Sequence, residues 1–529
     1  MGTTHFWSPA KKAKTLLAAA ALCGLCCLPA TAGAVEFKIK GVWVTMFEYG
    51  DGGNFVKKNR NGRNQQGWGR WNEDRFEAKN RVRLQLEAVA SENLSGTVNF
   101  EIGTIQWGRA NRGGALGADS TIVKIKHSYL DWTLPTTSIR TRMGIQRIFL
   151  PDFVTEASQV FDADTAGISL SVPFNEHVSL AAFWARLFND NWDGNANAAQ
   201  ANYLDNADLF GLTLPLRFEG FRLTPWAMVG AFGANAFRTH NRTNTASWYY
   251  GNAEGTGTDY GLGLSPSAYA NDGRENVFAF ATAFWAGLTG ELTAADPFRL
   301  AWSFNYGTVN TGENALNRHG WYAALLAEYK FDWGTPGIYG WYSSGDDDDP
   351  ANGSERLPNI EKNNESTSGL ATIATLGTWT LGRDAALGST LAGTWGLGLR
   401  LRDFSVLDRL KHTLHVNYYQ GTNSSGMVRY IKGAPSRHNI VRPYGTDFNS
   451  ADYYGLYLTD KDRALEVGLM SQYQIYENLR LLVEANYIAL WLDQSSGVWG
   501  GFTDRGGVRR RANSTEDLWN VNLSFIYRF

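Results

Sequence analysis

The chain has 529 residues, 43% of them hydrophobic and 13% aromatic, with 57 Gly, 14 Pro and 3 Cys. Its 49 basic and 51 acidic residues nearly cancel, a balance that argues against a nucleic-acid partner. A membrane-spanning helix needs about 18 or more consecutive apolar residues, and no such run exists beyond the N-terminal segment.

That segment reads as a secretory signal. Lys11, Lys12 and Lys14 precede "TLLAAAALCGLCCL", a 14-residue run too short to span a bilayer, and Ala32-Gly33-Ala34 fits a small-residue cleavage site. Cleavage is expected between Ala34 and Val35, making residues 1–34 a signal peptide. Cys23, Cys26 and Cys27 all lie inside it, and no small residue precedes them as a lipoprotein signal would need. The mature chain is then exported without disulfides. Loss of the three lysines leaves 46 basic residues against 51 acidic ones.

From residue 35 onward the texture is uniform, without a proline-rich linker or low-complexity tract, so one domain is expected over 35–529. Apolar and polar residues alternate with period two, which fits strands and not helices. "VEFKIKGVWVTMFEY" places Phe37, Ile39, Trp43 and Phe47 on one face. "FRLAWSFNY" sends Phe298, Leu300, Trp302, Phe304 and Tyr306 one way, and Arg299, Ser303 and Asn305 the other. "WYAALLAEYKFDW" puts Trp321, Leu325, Tyr329, Phe331 and Trp333 opposite Glu328, Lys330 and Asp332. The final "WNVNLSFIYRF" alternates from Trp519 to Phe529, with Ile526 the exception on the polar face. One aromatic face and one charged face exclude both two-sided burial and two-sided solvation. The polar face therefore sees water inside a closed sheet.

Connections at 91–96, 135–138, 174–177, 294–297, 334–337 and 476–478 are short. Those at 49–74, 108–119, 149–166, 188–207, 234–274, 345–389, 423–462 and 495–515 are long. This asymmetry predicts an all-β transmembrane antiparallel barrel of about 18 strands, with 16 the alternative count. Short periplasmic turns and long external loops follow, and the last strand closes on the first so that no edge meets lipid.

Strand parity points Arg81, Arg83 and Glu87 into the lumen, with Lys124 and Lys126 in "TIVKIKHSY" and Arg140 and Arg142 in "IRTRMGIQ". Val123, Ile125 and Tyr129 are expected to face outward. The loop after the fifth strand, 149–166, carries Asp152, Glu156, Asp162 and Asp164. Folded into the pore, it would oppose the basic wall and set a transverse field across a water-filled constriction. The competing reading leaves the loop outside and the lumen charges merely solvated. Arg400 and Arg402 also point inward, so an anion preference is open.

"RVRLQLEAVASENLSGTVNFEIG", "GGALGADSTIVKIKHSYLDW", "RMGIQRIFLPDF" and "ASQVFDADTAG" resemble the N-terminal third of the outer-membrane homotrimeric porins of sulfate-reducing bacteria. The resemblance runs from about residue 37 to 187 and over the final strands. It implies a homotrimer that passes ions and small hydrophilic solutes through the cell outer membrane, in contact with lipid and lipopolysaccharide. Phe525, Tyr527 and Phe529 resemble the C-terminal signature that the barrel assembly machinery reads.

Enzymatic readings find no support: there is no usable cysteine and no G-x-S-x-G elbow. His412 and His415 lie on opposite faces of one strand, His412 outward and His415 inward, so they cannot share a metal. "GDDDDP" (Asp346–Asp349) reads as a solvated external loop, since its spacing fits no Ca²⁺ loop. Arg509–Arg511 either solvate a loop or contact lipopolysaccharide phosphates. No cofactor or metal is expected. Two other classes stay open: a substrate-specific channel for sugars or organic anions, marked by a slide of aromatics or a one-signed ladder, and a plugged structural barrel. "GISLSVPF" and "VSLAAFWA" are candidates for the subunit interface.

Overall fold

A computed structural model describes residues 35–50, 75–110, 113–117, 123–189, 206–233, 280–312, 314, 317–349, 351–360, 391–427, 458–493 and 517–529. It also describes short strand pairs at 56–57 with 514–515, 249–250 with 260–261, and 501–503 with 509–511. The signal peptide expected over 1–34, the side chains of Arg509–Arg511 and most of the long loops fall outside the described residues.

Eighteen long strands form one sheet. In chain order they are β1 (Glu36–Gly50), β2 (Arg75–Ser91), β3 (Leu94–Gln106), β4 (Val123–Thr133), β5 (Arg140–Phe149) and β6 (Asp162–Pro173). Then follow β7 (Ser179–Asn189), β8 (Asn206–Thr213), β9 (Phe221–Phe232), β10 (Ala281–Leu292), β11 (Phe298–Asn310) and β12 (Arg318–Tyr329). The last six are β13 (Thr335–Ser343), β14 (Thr394–Leu407), β15 (Leu410–Gly421), β16 (Arg463–Tyr476), β17 (Leu479–Trp491) and β18 (Leu518–Arg528). Each pairs antiparallel with its sequence neighbours, and β1 pairs with both β2 and β18, so the sheet is closed. The expected antiparallel barrel of 18 strands is what forms. The connection 214–220, whose short strand Leu216–Phe218 pairs with Phe221–Leu223, and the turn 408–409 complete the short-turn end.

The period-two pattern sorts the faces. Along β11, Phe298, Leu300, Phe304 and Tyr306 are exposed on the outside, while Ala301, Ser303 and Asn305 are buried inside. Aromatic contacts gather outside at both strand ends. Phe298, Tyr329, Phe331 and Trp333 follow one another at the short-turn end, and Phe304, Trp321 and Tyr342 lie nearer the other. Apolar side chains outside, aromatic belts and a polar interior are the solution for a sheet in lipid, where every backbone group must be paired. The chain is an outer-membrane β-barrel.

Closure explains the sequence's one exception. Ile526 faces inward and packs with Val44 and Leu482, an apolar cluster on the inner wall beside the seam. The seam runs from Gly50↔Asn520 to Val42↔Arg528, and Gly41 and Phe529 add a reciprocal backbone pair at 2.8 and 3.1 Å. A Cβ on Gly41 would stand 2.4 Å from the Phe529 ring, so glycine is required where that ring crosses the seam.

One expected orientation is corrected. A bulge opposite Asn99 and Phe100 inserts a residue into β4, and one extra residue reverses parity beyond it. Tyr129, expected outside, thus shares the face of Asp131 and Arg142, with the Arg142 guanidinium 4.0 Å from the Tyr129 ring centroid.

Candidate functional site

Two loops from the long-loop end enter the barrel. The first, 150–161 between β5 and β6, is closed at its neck by Leu150 N–H donating to the Phe161 carbonyl at 3.0 Å. Asp152 turns the chain: its Oδ1 accepts the N–H groups of Val154 and Thr155, both at 2.9 Å. Its Oδ2 accepts the Ser303 hydroxyl of β11 at 2.8 Å. Phe153 N–H donates to Thr289 of β10 at 2.9 Å, and the Phe153 carbonyl accepts Arg299 Nη2 of β11 at 2.9 Å. The loop therefore crosses the interior and fastens to the far wall.

The second, between β13 and β14, enters over its described parts 344–349, 351–360 and 391–393. Trp285 Nε1 donates to the Pro358 carbonyl at 2.8 Å, and Arg318 Nε to the Arg356 carbonyl at 3.0 Å. Two bonds latch the loops together: Ile360 N–H to the Val160 carbonyl at 2.8 Å, and Leu391 N–H to Gln159 Oε1 at 3.0 Å. Val160, Phe161, Leu357, Ile360 and Leu391 pack with inner-wall Trp226, Trp285, Tyr322, Tyr339 and Trp341 in one buried cluster. The reading of "GDDDDP" as a solvated external loop is corrected at its first residue. Asp346 is only 2% exposed, accepts the Ser354 hydroxyl, and its N–H donates to Asn423.

The basic residues expected on β2, β4 and β5 are largely partnered within their own wall. Arg83 donates twice to Glu101 Oε2, at 2.8 and 2.6 Å, and Arg81 stands 3.8 Å from the same oxygen. Arg142 makes a two-point pair with Asp131 at 2.7 and 2.9 Å. Lys126 pairs with Asp164, which also bonds His127 at 2.9 Å. Lys124 and Arg140 have no ion pair among the described residues.

The acidic set divides. The loop ends at 161, so Asp162 and Asp164, expected within 149–166, are the first residues of β6 instead. Asp162 holds Arg147 at 2.7 Å through both oxygens. Asp164 lies opposite Arg147 in the β5–β6 register, joined to Lys126 rather than facing it across the pore. Asp152 is buried in the loop's own turn. Of the four carboxylates, Glu156 is the most exposed. Its side chain is 63% exposed, it sits in the left-handed region at φ 61°, and it lies 3.8 Å from Arg402 of β14.

Arg402 belongs to a charge network of the inner wall at the short-turn end of β9–β14. Arg222 (β9) pairs with Glu291 (β10), which also takes Arg299 (β11) at 3.1 Å. Arg299 Nη1 donates to Glu328 (β12) at 2.7 Å. Arg400 and Arg402 (β14) donate to the same Glu328 at 2.9 and 3.1 Å. Arg400 reaches over β13 at Gly337, where a Cβ would stand 2.8 Å from Glu328 Cγ. Parity gave the direction of Arg400 and Arg402, but nothing local in the sequence could show that four arginines from three strands converge on two glutamates.

His415 faces inward with its Nε2 2.6 Å from Glu466 Oε1, and His412 lies on the other face beside Ser471. Among the described residues no cluster of three or more His, Cys, Asp or Glu could hold a metal.

No protein-family model and no curated protein matches the chain. Solved outer-membrane proteins do resemble it in fold. OccAB3 of Acinetobacter baumannii aligns over 93% of this chain and 99% of its own, with 10% identity and a TM-score of 0.50. A BenF-like porin of Pseudomonas fluorescens covers 93% and 98%, at 10% identity and a TM-score of 0.49. OprD of Pseudomonas aeruginosa covers 95% of each chain, at 10% identity and a TM-score of 0.48.

Proposed function

We propose that this chain is a porin, a water-filled channel for passive diffusion of ions and small hydrophilic solutes across the outer membrane. The observation that carries this reading is the exposed pair at the loop tip: Glu156 and Arg402, 63% and 31% exposed, face each other inside a closed barrel. Exposed opposite charges in a confined aqueous passage orient dipolar solutes and hold water that an apolar solute cannot displace without loss.

An organic-anion preference is the second reading, favoured by four guanidinium groups against two carboxylates along β9–β14. A sugar slide has less support: Trp226, Trp285, Tyr322, Tyr339, Trp341 and Tyr419 line the inner wall but lie beneath the loops, buried from any solute. The trimer is part of the proposal too, with the outer face of β6 and β7 as the candidate contact. Chemical crosslinking of the folded protein is then expected to give a species of three times the monomer mass.

The test is conductance of the refolded mature chain in planar bilayers. Stable ohmic steps, together with liposome swelling in small sugars and amino acids, support the porin. Folded barrels that never conduct would refute it in favour of a plugged structural barrel.

A further inference from the structure

We infer that Glu328 is the specificity-determining residue of this pore, the single carboxylate that clamps three guanidinium groups to the wall and so sets which sign of ion the passage favours. The inference rests on the porin reading.

The Glu328 side chain is 1% exposed and receives Arg299, Arg400 and Arg402 from two different strands. Arg299 has a second carboxylate in Glu291, so its position does not depend on Glu328 alone. Among the described residues Arg402 has Glu156 besides, at 3.8 Å. Arg400 lies largely buried, and its path to Glu328 is open because Gly337 leaves the intervening strand without a side chain. Two consequences follow from charge and geometry. Counting Arg222, Arg299, Arg400 and Arg402 against Glu291, Glu328 and Glu156, this wall carries one net positive charge. Removing the Glu328 carboxylate raises that to two and takes from the buried Arg400 its ion pair with Glu328. Both changes favour anions. Neither requires that Glu328 touch the solute: it acts by positioning and neutralising the arginines that do.

A unit charge acting on an ion about 7 Å away through water shifts its local concentration roughly threefold. Glu328→Gln is therefore expected to move the anion-to-cation permeability ratio, read as a reversal potential in a salt gradient, about threefold toward anions. The shift should shrink as ionic strength rises, because screening shortens the reach of the field. Glu328→Asp retains the charge and is expected to return most of the wild-type ratio. Glu328→Gln combined with Arg400→Gln restores the wall's net charge and is expected to move the ratio back toward wild type. Loss of heat-modifiable electrophoretic migration would identify a variant that has not folded, and the Asp variant then carries the comparison through its conductance and selectivity.

An open, folded Glu328→Gln pore with unchanged selectivity would overturn the inference and leave the porin reading intact. A selectivity shift that Arg400→Gln does not reverse would also overturn it, since the arginines would not be the means. Absence of conductance in the wild-type chain would instead defeat the porin reading itself.

Discussion

Asp152→Ala isolates the fastening of the first inner loop. The carboxylate accepts two N–H groups of its own turn and the Ser303 hydroxyl of the far wall. Hydrogen bonds to a charged acceptor contribute about 1.5–3 kcal/mol each, less when partners regain water, so the substitution should weaken docking by about 3 kcal/mol. That is roughly a hundredfold in the ratio of docked to undocked loop. The Phe153 bonds to Thr289 and Arg299 remain, so the barrel itself should keep its stability. Single-channel recording is then expected to show larger open-channel noise and brief high-conductance excursions, and limited proteolysis to reveal cleavage near 150–161. Burial pushes the Asp152 carboxyl above the usual carboxylate range. Raised in the folded chain above its unfolded value, this group favours docking most at acid pH, and the benefit is lost as pH rises through the folded value. Wild-type noise should accordingly grow as pH rises through that folded value. Asp152→Asn keeps an acceptor for the turn, removes the buried charge and should abolish that pH dependence. An Asp152→Ala channel as quiet and as protease-resistant as wild type would refute the assignment of this side chain as the loop's fastening.

Other outcomes follow from the same packing. Trp285→Ala removes a fully buried indole that also holds the Pro358 carbonyl; a loss of about 3–5 kcal/mol is expected, read as a lower temperature for the heat-modifiable transition and a wider pore. Gly41→Val places side-chain atoms where the Phe529 ring lies, so yields of folded barrel in outer-membrane fractions should fall sharply, with Gly41→Ala less severe. If Phe525, Tyr527 and Phe529 serve as the assembly signal, Phe529→Ala should slow insertion in cells while leaving refolding into detergent unchanged. Arg142→Gln leaves Asp131 without its two-point partner on the wall facing the loop, and a shift of selectivity toward cations at low salt is expected from reversal potentials.

The strands were legible because lipid on one side and water on the other impose a two-residue period that no other environment demands. From that period came the 18-strand barrel, the inward Arg400 and Arg402, and the opposed faces of His412 and His415. Where the period failed to predict orientation, the cause was a single inserted residue in β4, which turned Tyr129 inward and which composition does not announce. The charge partners were not legible. Lys126 and Asp164 are 38 residues apart, and Asp152 and Ser303 are 151 apart. Parity fixes only the face on which a side chain stands, whereas pairing depends on register, strand tilt and distance across the barrel. The same limit hid the second inner loop, since Leu357 and Ile360 look like scattered apolar residues until the buried Trp285 and Tyr322 beneath them are in view. The sequence alone determined which face each strand turns to lipid, because that choice is made residue by residue against a uniform solvent. Only the tertiary structure decided which carboxylate answers which arginine, because closing the barrel brings distant strands within hydrogen-bond reach.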